Sequence, residues 1–228
     1  MTTGTLSLVA TPIGNLEDMT HRAVRVLSEA DYILCEDTRV TGKLRERYYI
    51  KTALKRYDAH ATEATMLGIL ADLAEDKRIA LVSDAGTPGV SDPGVLLVQR
   101  ARAANVHVEV VPGPSAVTAA VSLAGFTGNQ FSFLGFVPQK KGRQRFFEAL
   151  ATFRHPVLFF ESTHRILKTL ISLNELYPEH TVAYARELTK LFEEYIAATP
   201  AELIAHLEAE PNKQKGEFVV IFYPQDKQ

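Results

Sequence analysis

The residues best suited to chemistry in this chain lie in loops rich in glycine and proline. The longest is Val82-Ser83-Asp84-Ala85-Gly86-Thr87-Pro88-Gly89-Val90-Ser91-Asp92-Pro93-Gly94, with three glycines and two prolines. Such a backbone is stiff and bare, and glycine lets a ligand approach the main chain closely. An elaborate turn would use the same residue types, but a tight connection does not need so many of them over this length. The segment matches neither G-x-G-x-x-G nor a P-loop, which excludes the usual dinucleotide and Walker-type phosphate sites. Shorter loops of related character are Ala10-Thr11-Pro12-Ile13-Gly14-Asn15 and Val111-Pro112-Gly113-Pro114-Ser115-Ala116. Cys35-Glu36-Asp37-Thr38-Arg39 sets two adjacent carboxylates beside a cation, a group that can handle a proton or merely cap a helix and form a surface ion pair. Phe160-Glu161-Ser162-Thr163-His164-Arg165 and Ala185-Arg186-Glu187-Leu188-Thr189-Lys190 repeat the arrangement later in the chain. The single cysteine forms no internal disulfide, and the seven histidines lack ligand spacing, so no metal site is expected.

These loops need elements to hold them. Leu6 to Ala10, Tyr32 to Cys35, Ile79 to Val82 and Val106 to Val111 are short β-rich runs, expected to be buried parallel strands. Each chemical loop of the first half follows one of them, and the carboxyl ends of strands are where open α/β sheets bind ligands. Ala23, Val26, Leu27 and Ala30 make one helical stripe, and Met66, Ile69, Leu70 and Leu73 another. Ser91-Asp92-Pro93 predicts an N-cap and a helix starting just after the glycine loop. The pattern breaks at 123–129, predicting a linker between a domain at 1–122 and a second α/β domain at 130–228. There Phe131 to Leu134, Val157 to Phe160, Thr181 to Tyr184 and Phe218 to Phe222 read as strands, and Ile166, Leu167, Leu170 and Ile171 mark a helix. Thr199-Pro200-Ala201-Glu202 has the form of a capping box.

With 46% hydrophobic and 23% charged residues the chain has the composition of a folded globular protein. No apolar run reaches the roughly 20 residues needed to cross a bilayer, and the first residues lack the basic start of a signal peptide. No membrane partner and a cytoplasmic location are therefore expected. A net charge of −2 means that any polyanion must be met locally. Lys140, Lys141, Arg143 and Arg145, four cations within six residues, are the leading place for it, and Arg45 and Arg47 could extend it.

Taken together, LVATPIGN, CEDTR, VSDAGTPGVSDPG, VPGPSA, FLGF, FESTHR, ARELTK and KGEFV resemble the ribosomal RNA small subunit methyltransferase I family, within the tetrapyrrole methylase superfamily. The resemblance runs nearly end to end. It implies two α/β domains with S-adenosylmethionine bound between them. It also implies a homodimer that methylates a cytidine 2′-hydroxyl in the decoding centre of 16S rRNA, within the small ribosomal subunit. Carried over residue by residue, the cofactor contacts fall on Pro12, Ala85, Gly86, Thr87, Val90, Ser115 and Ala116. In the second half they fall on Glu161 and Leu188, largely through main chain. The chain departs from the tetrapyrrole branch at Ala85-Gly86-Thr87-Pro88 and at Thr11-Pro12-Ile13-Gly14-Asn15, which favours the RNA branch.

Methyl transfer from a sulfonium asks mostly for placement, but a 2′-hydroxyl is a weak acid that benefits from a group taking or orienting its proton. Glu36 and Asp37 are the leading candidates. Neighbours on an extended backbone point in different directions, so one can act while the other caps or pairs with Arg39, and the sequence leaves open which. Glu187 and Lys190 are second candidates. Arg39, His164 and Arg165 join the basic run as expected RNA contacts. Two other readings stand beside this one: a small-molecule tetrapyrrole methylase and a noncatalytic RNA-binding module.

Overall fold

A computed structural model describes residues 4–91 and 94–225. The chain divides between Ser115 and Ala116 into two compact units. The first runs β1 (Thr5–Val9), α1 (His21–Glu29), β2 (Tyr32–Cys35), α2 (Thr38–Arg47) and β3 (Ala53–Arg56). It continues through α3 (Glu63–Ala74), β4 (Arg78–Leu81), α4 (Val95–Ala103) and β5 (His107–Val111). The second begins with α5 (Ala116–Ala124), β6 (Ser132–Phe136), α6 (Arg143–Ala149), β7 (Val157–Ser162) and α7 (Ile166–Leu176). It ends with β8 (Val182–Arg186), β9 (Glu194–Ala198), α8 (Pro200–Ala209) and β10 (Glu217–Phe222).

The apolar runs of the first unit make a parallel sheet because their period-two alternation supplies both faces. Leu6, Tyr32, Leu34, Ile79 and Leu81 pack with Met66, Ile69 and Leu73 of α3 and Leu97 of α4. Their neighbours Val9, Ile33, Cys35, Ala80 and Val82 pack on the opposite face with Ala23 and Leu27 of α1 and Leu44 of α2. The two helical stripes read from the sequence thus end on opposite sides of one sheet. Strand order is β3-β2-β4-β1-β5, parallel throughout. The connection after β2 goes by α2 to one edge and that after β4 goes by α4, on the other face, toward the other edge. Between β2 and β4 the sheet therefore has a topological switch point, and open α/β sheets bind ligands at the strand carboxyl ends of such points.

The structure adds to or departs from the sequence reading at three places here. β5 is an edge strand on which only Val111 is buried, so it is not a buried strand like its neighbours. β3 had no apolar signature; its Lys55 and Arg56 are tolerable because it forms the other edge. α4 runs from Val95 with Gly94 before it, a few residues beyond the cap expected at Ser91. Asp92 and Pro93, part of that expected cap, lie outside the described residues.

The second sheet is mixed, in the order β6-β7-β10-β8-β9, with β6 parallel to β7 and the remaining pairs antiparallel. Val157, Phe159, Tyr184, Phe218, Val220 and Phe222 meet Phe147, Leu170, Leu173, Leu203 and Leu207 in one core. Burying each such side chain contributes about 1.5–3 kcal/mol before conformational entropy is set against it. α8 opens with the capping box read from the sequence, Thr199 accepting from the Glu202 amide and Glu202 accepting from that of Thr199. The stretch 123–129 takes in the last two residues of α5 and the start of the connection to β6, while α5 itself lies against β8 and β10 and falls with the second unit. Among the described residues no helix is long and apolar enough to cross a membrane.

Candidate functional site

In the first unit, the three glycine-containing loops meet at the carboxyl ends of β4, β1 and β5. Thr11 and Gly86 exchange backbone hydrogen bonds, the Thr11 amide reaching the Gly86 carbonyl at 2.9 Å and the Gly86 amide returning to Thr11 at 3.0 Å. The Thr11 hydroxyl donates to the Ser83 carbonyl at 3.1 Å, and the Ser83 hydroxyl to that of Gly86 at 3.2 Å. Thr87 Oγ1 donates to the Pro114 carbonyl at 3.1 Å, closing the third side. Gly86 has φ +83°, and a Cβ there would stand 3.2 Å from Ile13 Cγ2 and 3.9 Å from Ser115 Cα. Only glycine joins the loops this closely without strain. Pro12, Ala85, Gly86, Thr87 and Ser115 are thus neighbours; Val90, 44% exposed, stands further along the loop. A main chain this bare and this rigid suits a ligand held through backbone groups.

The fourth loop joins at the switch point, where the Asp37 amide donates to Asp84 Oδ1 at 3.1 Å. Asp37 caps α2, accepting from the Arg39 amide at 2.8 Å, and holds the Arg39 guanidinium at 2.6 and 3.0 Å. These bonds favour the charged carboxylate, and the Arg39 side chain and amide bring the Asp37 pKa down to about 2. Such a group is a poor proton acceptor. Of the two carboxylates read from the sequence, Asp37 takes the cap and ion-pair role, and Glu36 beside it is half-buried.

In the second unit the segment after β8 is strained. Glu187 and Thr189 have φ of +51° and +65°, a region that costs an ordinary residue about 1–2 kcal/mol, and buried Leu188 lies between them. The Glu187 carboxylate accepts from the Glu217 amide at 3.0 Å and from Lys190 Nζ at 2.9 Å; the Thr189 amide donates to Glu193 at 2.6 Å. Burial raises the Glu187 pKa, but the bonds from Lys190 and the Glu217 amide outweigh it and the pKa falls. Burial lowers that of Lys190, and its two carboxylate partners more than restore it, so Lys190 stays an ammonium. Thr189 Oγ1 is buried with no hydrogen-bond partner among the described residues. Strain of this kind collects at ligand sites. Thr189 was not among the candidates read from the sequence, because neither the left-handed backbone nor the orphaned hydroxyl has a sequence signature.

The basic run divides. Lys140, Lys141 and Arg145 are exposed, whereas Arg143 is turned inward, its side chain 10% exposed. Its guanidinium lies 3.5 Å from the fully buried Glu161 carboxylate, donates to Thr169 Oγ1 at 2.8 Å and stacks 5.0 Å from the Phe147 ring centre. Arg165 reaches the same carboxylate at 2.9 Å and also donates to Ser162 Oγ and the Val137 carbonyl. The expectation that Arg143 and Arg165 hold phosphate is therefore corrected: a buried carboxylate must be paired, and Glu161 takes both cations. The Glu161 side chain is correspondingly committed, leaving only its backbone for a ligand. His164 is exposed and lines a pocket of ≈ 530 Å³ with Lys215 and Gln214. Among the described residues no group of three or more His, Cys, Asp or Glu comes together to hold a metal.

A family model described as tetrapyrrole (corrin/porphyrin) methylases matches residues 5–204. Ribosomal RNA small subunit methyltransferase I of Neisseria meningitidis serogroup B is 45% identical over 97% of this chain and 76% of its own length. The protein of that name from Thermotoga maritima is 43% identical over 96% of this chain and 97% of its own. Among solved structures, diphthine synthase superposes with a TM-score of 0.77 at 13% identity, covering 98% of this chain and 91% of that one, a likeness of fold.

The division of the basic run predicts a split in stability. Arg143→Met leaves a buried carboxylate short of a cation and should cost about 3–5 kcal/mol in urea denaturation. Gln at Lys140, Lys141 or Arg145 should change stability by less than about 0.5 kcal/mol. An Arg143→Met protein as stable as the parent would return Arg143 to the surface set.

Proposed function

The chain belongs to the ribosomal RNA small subunit methyltransferase I family, within the tetrapyrrole methylases, and from that premise we propose that it methylates a cytidine 2′-hydroxyl of 16S rRNA with S-adenosylmethionine. Its class, a methyltransferase of small-subunit ribosomal RNA, follows from the family. The observation that carries the cofactor reading is the junction of three strand-end loops around Gly86. S-adenosylmethionine supplies the electrophilic methyl group when bound. The chain's task is placement, with Pro12, Ala85, Gly86, Thr87, Val90 and Ser115 holding the cofactor chiefly by backbone. Ala116 follows Ser115 in the same set, and the family correspondence leaves main-chain roles to Glu161 and Leu188, where the orphaned Thr189 hydroxyl adds a polar group beside Leu188.

Glu36 takes or orients the 2′-hydroxyl proton, since Asp37 is held ionised by Arg39 and its basicity is lowered. Lys190, kept charged by Glu187 and Glu217, orients substrate and does not accept a proton. Lys140, Lys141 and Arg145 meet phosphates, joined by Arg39, whose side chain is 88% exposed, and by His164. The working state is a homodimer acting on rRNA within the small subunit, as the resemblance implies, in the cytoplasm where such subunits are made.

Methyl transfer to small subunits lacking the modification, with the methylated ribose mapped, tests the activity. In single-turnover form Glu36→Ala should slow transfer by about 10²-fold or more while keeping cofactor affinity. Asp37→Ala should act mainly through the α2 cap. Rates within a few-fold of the parent for Glu36→Ala would exclude it as the base.

Gly86→Val forces a branched side chain into left-handed backbone against Ile13 and should sharply weaken S-adenosylmethionine binding by calorimetry, with folding checked by circular dichroism. Unchanged affinity in a folded variant would remove the loop junction from the cofactor site. Replacing Lys140, Lys141 and Arg145 together by Gln should lower the log-log salt slope of RNA binding by about 2, at roughly 0.7 per phosphate contact. A parental slope would make them a solvated loop.

A further inference from the structure

The FLGF segment carries an exposed aromatic that neither the cofactor site nor the proton-handling groups use. β6 pairs with β7 in register at Ser132 with Val157 and Phe133 with Leu158, then resumes at Phe136 with Phe160. Three steps along β6 thus match two along β7, which is a bulge, and Gly135 at φ +69° supplies the backbone it needs. In a regular strand Phe133 and Phe136, three apart, would face opposite sides of the sheet. The extra residue brings both against the same ring. Phe133 and Phe136 contact Phe160 edge-on at 4.8 and 5.1 Å between centres. Phe136 is nevertheless 55% exposed, its ring offered to solvent on the side away from Phe160.

The loop from Val137 to Arg143 is anchored at both ends and basic between them. Val137 is buried, its amide bonded to the Phe160 carbonyl and its carbonyl to Arg165. Arg143 pins the far end of the loop to Glu161, the residue after Phe160. Between these anchors Lys140 and Lys141 are exposed, with Arg145 just beyond, and none of the three makes an ion pair among the described residues. In a chain of net charge −2 this is cationic surface without an ion-pair partner among the described residues, on the loop that directly follows the Phe136 ring. Unpaired RNA is recognised by this combination: bases stack on aromatic faces while neighbouring cations hold the phosphates.

We propose that Phe136, set by the Gly135 bulge and backed by Phe160, is a stacking platform for an unpaired base of the RNA substrate, with Lys140, Lys141 and Arg145 holding the adjoining phosphates. The proposal rests on the rRNA reading above and names a substrate-positioning residue within it. Phe136→Ala and Phe136→Leu should each raise KM for undermethylated small subunits about tenfold, because leucine restores apolar bulk but no π-face. S-adenosylmethionine affinity should stay unchanged in both, and Phe136→Trp should rescue KM. The chain contains no tryptophan, so Phe136→Trp also places a sole indole at the platform. Its fluorescence should be quenched in the complex with protein-free 16S rRNA, complex formation being verified by sedimentation.

Failure of the parent protein to methylate small subunits overturns the rRNA reading itself. An active parent with a leucine variant at parental KM overturns the platform alone, as does an unquenched indole in a sedimenting complex. Concentration-dependent burial of the indole without RNA would assign Phe136 to a contact between two copies of the chain, and would also overturn the proposal.

Discussion

The pair of backbone hydrogen bonds between Thr11 and Gly86 is the constraint from which the first unit's site is built. It ties the loop after β1 to the loop after β4 across adjacent strands, and the Thr87 hydroxyl carries the tie to the loop after β5. Because each bond joins main chain or hydroxyl to main chain, the junction sets shape while leaving side chains small. A parallel sheet makes this possible: all its strands end on the same side, so loops far apart in sequence gather at one edge. The rigid β-strands beneath, with cores on both faces, keep that edge from relaxing.

The second unit solves a different problem with a buried charge. Glu161 is fully enclosed and would be prohibitively costly unpaired, so it draws Arg143, Arg165 and Thr169 onto itself. The result is a cross-brace from the end of β7 to α6 and α7, and it fixes the loop that presents the exposed lysines. Removing a cation from the surface set in this way lowers the apparent positive charge of the basic run, yet it gives the remaining charges a defined place.

The two carboxylate clusters show how environment assigns roles to like residues. Asp37, bonded to a guanidinium and to the Arg39 amide in the first turn of α2, is driven toward the ionised form and serves structure. Glu187, equally acidic in type, stabilises a left-handed backbone by accepting from Glu217 and Lys190. Neither behaves as a free proton acceptor. Methyl transfer, which depends on alignment more than on acid-base strength, is compatible with a site whose charged groups mostly hold the scaffold.

Local pattern along the chain was enough to establish the α/β alternation, the four apolar strands that precede chemical loops, the helical stripes and the α8 capping box, because each is written in periodicity or residue type. The ordered motifs also carried the family. Local pattern did not reveal β3 or β9, since edge strands are half-solvated and need no apolar alternation. Nor could it separate Arg143 from Lys140, Lys141 and Arg145, or Asp37 from Glu36, because nearby residues of like charge differ only in what the fold brings opposite them. Whether a cation meets solvent or a buried Glu161, and which of two adjacent carboxylates holds Arg39, is a contact between segments distant in sequence or set by backbone direction. Those contacts exist only once the chain is folded, so it took the packed molecule to assign them.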